Sequence, residues 1–414
     1  MSPPFGGTKP SNAYGRRRQK QNLKDFAKNL ENAISGVIPS HKKPYGQVAV
    51  LGMHWENDEM GVAGLERELL GVFRKKYNFY TESYPIPVQA SAAGLSNKLS
   101  TFSQKWAAPD ALRVYVYSGH AEAADPRATQ YHLAGRADAQ GCLVGPRVDW
   151  YRASYIVENA GPQGGGDVLY IFDCCSAGAA ATYDGPEFLA AAAWDATAGS
   201  AINTSFTRTL IDELNVLNGA PQTIASVFAS MFRNVTQSQS DAPPVHIIKK
   251  GTDSITLAKL AGPKQKKLES FETRKRKGKF PVSENRVLLS VQLEDDVTFP
   301  DLEQWKAWLT TNIPSGIFDV DITIESFFTG SKLLLVTVPL EVWTMLPANE
   351  DAYAFVAHVS SNNVLPNFSS AFPPGLTLPQ PSQRMSGSEN QPFSSPGKRH
   401  MGPSRGHRSS HSTG

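Results

Sequence analysis

The sequence predicts an α/β fold, a mostly parallel sheet flanked by helices, followed by a small α+β module. Three observations carry this. Short apolar strands alternate with amphipathic helices from Gln47 to Tyr117, and right-handed βαβ crossovers then force a parallel sheet with helices on both faces. The run Val168 to Phe172 is apolar, β-branched and aromatic throughout, as in strands buried on both faces. Beyond Val287 the short strands and helical stripes follow the order βαββαβ, that of a split βαβ, ferredoxin-like sandwich.

Taken in order, residues 1 to 20 are rich in Gly, Pro and Arg and read as disordered. Leu23, Phe26, Leu30 and Ile34 recur at helical spacing, which predicts a helix on the domain edge. Gln47 to Leu51 is the first strand, and a helix with Leu65, Leu69, Val72 and Phe73 on one face follows it. A strand near Asn78 to Tyr84, a helix from Ala92 to Trp106 and a strand over Val114 to Tyr117 repeat the unit. Residues 122 to 165 read as loops with one helical turn at Trp150 to Glu158, where a lid or pocket wall would sit. After Cys175 the order is a helix of small residues, a strand at Phe188 to Ala193, and a helix with Phe206, Leu210, Leu214 and Leu217. A helix with Ile224, Val227, Phe228 and Met231 comes next, then a last strand pair at Val245 to Ile248 and Ile255 to Leu257.

The module reads as strands at Val287 to Leu293, Phe318 to Ile324, Leu333 to Val338 and Tyr353 to Val359. Its helices carry Leu302, Trp305, Trp308 and Leu309, and Val342 to Leu346. The chain thus divides into a basic N-terminal region with a short helix (1–44), the α/β domain (45–262), a basic linker (263–285), the module (286–365) and a disordered Ser/Pro/Gly-rich tail (366–414). The module has no catalytic constellation and reads as an interaction module for an unknown protein partner.

Composition narrows the class. The chain has 414 residues, 40% of them hydrophobic, enough for two or three domains. Three cysteines, two of them adjacent, make no disulfide framework, which points to a reducing, intracellular compartment, cytoplasmic or nuclear. No apolar run approaches the ~18 residues of a membrane span, so no membrane partner is expected. The net charge of +3 hides an asymmetry: residues 1–44 hold nine Lys/Arg against two acids, and 263–285 hold eight against three. The folded remainder is therefore acidic, which argues against nucleic acid as the main partner.

The chemistry gathers at strand ends. Val168 to Phe172 stops at Asp173-Cys174-Cys175-Ser176-Ala177-Gly178, and the loops past the carboxyl ends of such strands are where α/β sheets keep reactive groups. A cysteine at a helix start has its thiolate favoured by the dipole, and the thiolate is the nucleophile. The commoner fate of a sheet cysteine is burial as a plain thiol; strand-end placement favours the nucleophile for Cys175, with Cys174 as its buried neighbour and Cys142 a plain thiol. Such a thiol needs a base. His120 follows the strand Val114 to Tyr117 through Ser118-Gly119, and His54 is the runner-up after the first strand. His132 and His246 read as structural. No Cys/His pair has zinc-ligand spacing and no loop has calcium-ligand spacing, so no metal and no cofactor are assigned.

Tyr115-Val116-Tyr117-Ser118-Gly119-His120 with Asp173-Cys174-Cys175-Ser176-Ala177-Gly178 resembles the paired signature of caspases and metacaspases, more closely the metacaspase form. The 55 residues from His120 to Cys175 are close to the ~50 of the caspase group. Trp55-Glu56-Asn57-Asp58, Phe206-Thr207-Arg208, Pro244-Val245-His246 and Asp253-Ser254-Ile255 extend the resemblance toward stand-alone caspase-like proteins common in fungi, over residues 46 to 260. It implies a caspase-like fold and a cysteine endopeptidase acting on protein or peptide substrates, with a His120/Cys175 dyad. It also implies an oxyanion hole from the backbone N–H groups of Ala121 and Cys175. Asp173 either caps a helix or, as at the equivalent metacaspase position, floors a pocket for Lys or Arg, with Asp58 as a second carboxylate. Ala121 and Ala177 depart from the family pattern, and they support the alternative, a catalytically silent caspase-like adaptor.

Overall fold

The computed structural model describes residues 20, 22–39, 45–123, 130–159, 165–181, 185–191, 206–237, 243–248, 251–261, 285–294, 304, 322–347 and 352–360. Residues 1–19, 21 and 40–44 of the N-terminal segment, 263–284 of the linker, the stripe from Leu302 to Leu309 apart from residue 304, and residues 318–321 of the expected strand lie outside these. So does the whole tail beyond residue 366. The described residues all fall within one compact unit.

The chain is α/β, as its sequence predicts. A six-stranded sheet runs in the order β10-β8-β7-β3-β1-β2, where β1 is Gln47–Trp55, β2 Tyr80–Ile86, β3 Ala111–Ser118, β7 Asp167–Asp173, β8 Glu187–Ala190 and β10 Val245–Ile247. All pairs are parallel except the β8/β10 edge. The chain leaves β1 toward β2 on one side and returns through β3 on the other. The carboxyl ends of β1 and β3 therefore border the point where connections diverge, the place such sheets leave a crevice.

Strand alternation sorts the two faces. Val48, Val50, Leu112, Val114, Val116, Leu169 and Ile171 pack on one side under α2 (Ala63–Tyr77), α5 (Phe206–Leu217) and α6 (Ile224–Gln237). Leu51, Met53, Trp55, Tyr115, Tyr117, Tyr170 and Phe172 pack on the other, under α3 (Ser91–Lys105) and α4 (Trp150–Glu158).

Three expectations need correction. Of the stretch 122–165, the described residues include the expected helix as α4, but those before it form a three-stranded antiparallel sheet rather than loops, β4 (His120–Ala123), β5 (Tyr131–Ala137) and β6 (Leu143–Asp149). The register shifts between Ala134 and Arg136, and this bulge breaks the period-two pattern that marks a strand. The presumed last strand pair is split: β10 pairs with β8, while β11 (Thr256–Leu257) pairs with β9 (Gln222–Thr223). The buried Glu187 carboxylate explains this. It meets His246 Nε2 at 2.7 Å while accepting from Ser254 Oγ and Ile255 N–H at 2.6 Å, so one acid anchors both segments separately. The helix after Cys175 is a single 3-10 turn, Ala177–Ala180, entered through Ser176 at φ 48°. Helix α1 (Leu23–Val37) is amphipathic: its buried stripe joins the main core while Lys24, Asp25, Lys28, Glu31 and Asn32 stay exposed.

That helix is capped by Asn22, whose side chain accepts from Lys24 N–H at 2.8 Å, and it buries Phe26, Leu30, Ala33, Ile34 and Val37 along one stripe. The module comprises β12 (Arg286–Gln292), β13 (Thr323–Phe328), β14 (Leu333–Pro339), α7 (Leu340–Met345) and β15 (Tyr353–Val359), and α1 packs on α7, while its last turn is held from the α/β domain by Thr223 Oγ1 donating to the Val37 carbonyl at 3.0 Å. The sheet order β13-β14-β12-β15, antiparallel throughout, is the ferredoxin-like order expected. Val287, Leu289, Val336, Val338 and Leu340 join the same core as Val48 and Leu112, with Phe26 6.1 Å from the Tyr353 ring and Phe232 4.9 Å from that of His358.

Phe26→Ala should therefore lower stability by about 3–5 kcal/mol, the usual range for a fully buried Phe. Urea unfolding followed by circular dichroism should show one transition moving as a whole; a second, unmoved transition would mean that the module folds apart from the α/β domain.

Candidate active site

The parallel register of β3 and β7 builds the site. Ser118 lies beside Asp173 at the ends of the two strands, and Gly119 N–H donates to the Asp173 carbonyl at 3.2 Å. His120 and Cys175 each stand two residues past that rung, on neighbouring strand ends. Gly119 sits at φ 148°, and a methyl built on it would meet Tyr117 Oη at 2.9 Å, so glycine is required to turn the chain from β3 into β4.

The two adjacent thiols are distinguished by burial. Cys174 is buried, and burial pushes its thiol well up despite a contact of 3.2 Å with Tyr131 Oη. Cys175 is half-buried and Cys142 exposed. Of the pair, Cys175 is the one open to a substrate. The short 3-10 turn after it removes most of the dipole support expected from a helix start.

His120 brings in a residue the sequence did not single out. Its Nε2 is 3.3 Å from Glu59 Oε1, an ion-pair distance whose angle falls outside that of a hydrogen bond. Glu59 is itself fixed by the Ala137 N–H at 2.9 Å and Arg136 Nε at 3.2 Å. These contacts hold its carboxyl below the usual carboxylate range, the Ala137 bond first. Glu59 is brought to His120 by the β1–α2 loop meeting β5, a contact that no local sequence signal announces.

Ala121 is buried in β4 opposite Leu133. Asp173 accepts from Thr207 N–H at 3.0 Å and from Thr207 Oγ1 at 2.6 Å, both on Oδ2. It thus ties down the first turn of α5 rather than the turn that follows it in sequence. The residue keeps some surface, yet its carboxyl is enclosed, and this burial pushes its pKa up while the Thr207 bonds oppose the shift. Asp58 spends both oxygens on backbone, accepting from Met60 N–H at 3.3 Å and Val62 N–H at 2.9 Å to start α2. His54, the runner-up base, faces the other way: its Nδ1 is 2.9 Å from Glu66 Oε2, and the buried Glu66 also accepts from Ser83 Oγ at 2.5 Å. His246 is buried against Glu187, as a structural histidine would be.

Among the described residues no three His, Cys, Asp or Glu side chains gather as a metal site. Nor is any helix among them long and apolar enough to cross a membrane. No protein-family model and no curated protein matches the chain. Solved structures similar to it include caspase-1 from Spodoptera frugiperda, with 10% identity and a TM-score of 0.37 over 55% of this chain and 94% of that one. Also similar are the Drosophila initiator caspase Dronc (9%, 0.35, 52% and 85%) and a Geobacter sulfurreducens protein (12%, 0.35, 52% and 94%).

The Glu66 hydrogen bond raises the His54 pKa above its ordinary 6.5. A raised folded-state value means that the pair stabilises the fold fully below the unfolded pKa and stops doing so as pH rises through the folded one. His54→Gln should then destabilise most at about pH 5.5 and least at about pH 9, read from urea midpoints; a loss independent of pH would show that His54 acts by packing alone.

Proposed function

We propose that the chain is a caspase-like cysteine endopeptidase with Cys175 as nucleophile and His120 as general acid/base. The observation that carries this is the β3/β7 rung at Ser118 and Asp173, which sets the half-buried thiol and the imidazole on adjacent strand ends while Cys174 stays inside. His120 takes the Cys175 proton, and the thiolate adds to the scissile carbonyl. The N–H groups of Cys175 and Ala121 serve the resulting oxyanion. His120 then gives its proton to the leaving amine, leaving a thioester. Water, activated by the same ring, hydrolyses the thioester, releasing the acid and restoring the thiol. The Glu59 carboxylate stands 3.3 Å from His120 Nε2.

Asp173 supports a preference for Lys or Arg before the cut. Its carboxyl is enclosed beside the dyad strands, where pairing with a substrate cation would offset the burial that now raises its pKa. The second reading, a catalytically silent adaptor, is favoured by the four-residue turn after Cys175, too short to lend the thiol a helix dipole.

Cys175→Ala should abolish peptide cleavage with the fold intact by circular dichroism, while Cys174→Ala retains most of it. The reverse outcome would put the nucleophile one residue earlier, and no labelling of Cys175 by a thiol-directed peptide electrophile above that of Cys142 would favour the adaptor.

Asp173→Asn should keep the α5 tie, since asparagine also accepts from a helix N–H. It should lower kcat/KM for Lys and Arg substrates by about 2–5 kcal/mol in transition-state binding. Unchanged specificity at unchanged stability would leave Asp173 as a cap only.

A further inference from the structure

Tyrosine hydroxyls support the backbone on either side of the dyad. Tyr117 Oη, from the end of β3, donates to the His120 carbonyl at 2.7 Å and lies 3.3 Å from that of Ala134. Tyr131 Oη, from the start of β5, donates to the Cys175 carbonyl at 2.8 Å and touches Cys174 Sγ at 3.2 Å. Both side chains are fully buried in the aromatic face of the sheet, Tyr117 5.6 Å from the Phe172 ring and Tyr131 6.5 Å from that of Tyr151. Tyr151, from α4, donates in turn to the carbonyl of Ala179.

These bonds fall at the ends of regular structure. Gly119 at φ 148° and Ser176 at φ 48° flank the dyad, His120 is only the first residue of the β4 ladder to β5, and the turn after Cys175 is four residues long. With Cys175 outside any ladder or full helix and His120 at the start of one, the direction in which each dyad side chain leaves the backbone depends on its carbonyl anchor. A hydroxyl on a rigid buried ring is a precise anchor, because the ring has few rotamers and the bond has no water to exchange with.

We propose that Tyr117 and Tyr131 are positioning residues, each holding one member of the dyad by its own peptide carbonyl. The inference rests on the peptidase reading above and names what keeps the His120 and Cys175 side chains in reacting geometry. Neither tyrosine touches the substrate. Phenylalanine at either position keeps the ring and its packing and removes the anchor, together with the weaker contact to the Ala134 carbonyl or Cys174 Sγ. Tyr115 offers a matched control: its buried hydroxyl bonds Ser103 Oγ at 2.6 Å in the same aromatic layer, away from the dyad.

The test follows iodoacetamide alkylation of each cysteine across pH by peptide mass spectrometry, with steady-state cleavage of Lys/Arg peptides. It uses full-length wild type, Tyr131→Phe, Tyr117→Phe and Tyr115→Phe. Tyr131→Phe should slow Cys175 alkylation by about tenfold and shift its pH profile, and both dyad-side variants should lose about 10²-fold in kcat with KM little changed. Tyr115→Phe, despite losing an equally buried bond, should keep both rates. Wild-type rates in Tyr131→Phe and Tyr117→Phe, or an equal fall in Tyr115→Phe, would overturn the inference while leaving the peptidase reading intact. A wild-type chain that cleaves nothing, with Cys175 no more reactive than Cys142, would sink both. Where no peptide is cleaved yet Cys175 is the faster thiol, alkylation alone decides, and if Tyr131→Phe does not fold, Tyr117→Phe decides by kcat against KM and by His120-dependent Cys175 reactivity.

Discussion

The parallel pairing of β3 with β7 is the constraint on which the rest of the site depends. Parallel strands fix residues level with one another through evenly spaced hydrogen bonds, and here the last rung joins Ser118 to Asp173. One residue further, Gly119 N–H still donates to the Asp173 carbonyl, so the two chains separate only after the dyad strands are in step. A slip of one residue would turn Cys175 toward the core and bring Cys174 out, exchanging a half-buried thiol for a buried one.

The two faces of the sheet supply different support. The aliphatic face joins α1, α2, α5 and α6 to the ferredoxin-like module in one continuous core, with Phe26 and Leu30 fully enclosed. The aromatic face is built from Tyr115, Tyr117, Tyr170, Phe172, Phe188 and Trp150 in ring contact. Tyrosine hydroxyls on that side reach the backbone carbonyls of His120 and Cys175. Polar groups on the first face are used differently: Asp173 ties α5, Glu66 holds His54 and Ser83, and Glu187 holds two segments at the far edge. Each is an acid whose burial is offset by directed donors, which makes the helices' places specific as well as stable.

The carboxylate that meets His120 is set by separated stretches. Glu59 arrives from the β1–α2 loop and is paired by Arg136 from the bulge in β5, while Glu122 in β4 pairs with Arg147 in β6 at 2.9 Å. The small antiparallel sheet thus fixes the carboxylate that faces the imidazole.

The sequence by itself determined the α/β class, the strands that lead to His120 and Cys175, and three of the module's four strands, because these depend on periodicity and on short local runs. Val168 to Phe172 can be little other than a buried strand, and Tyr353 to Val359 matches its strand to the residue. It also singled out His120 and Cys175, since residues at strand ends carry a signal in their immediate neighbours. Only the tertiary structure decided what those residues touch. The bulge at Gly135 hid a strand inside an apparent loop, and with it the anchor at Tyr131. The partner of Asp173 lies 34 residues onward, the His120 carboxylate 61 residues back, and the module against α1 some 260 residues away. Contacts across such separations are set by how layers stack, and no local pattern in the chain encodes them.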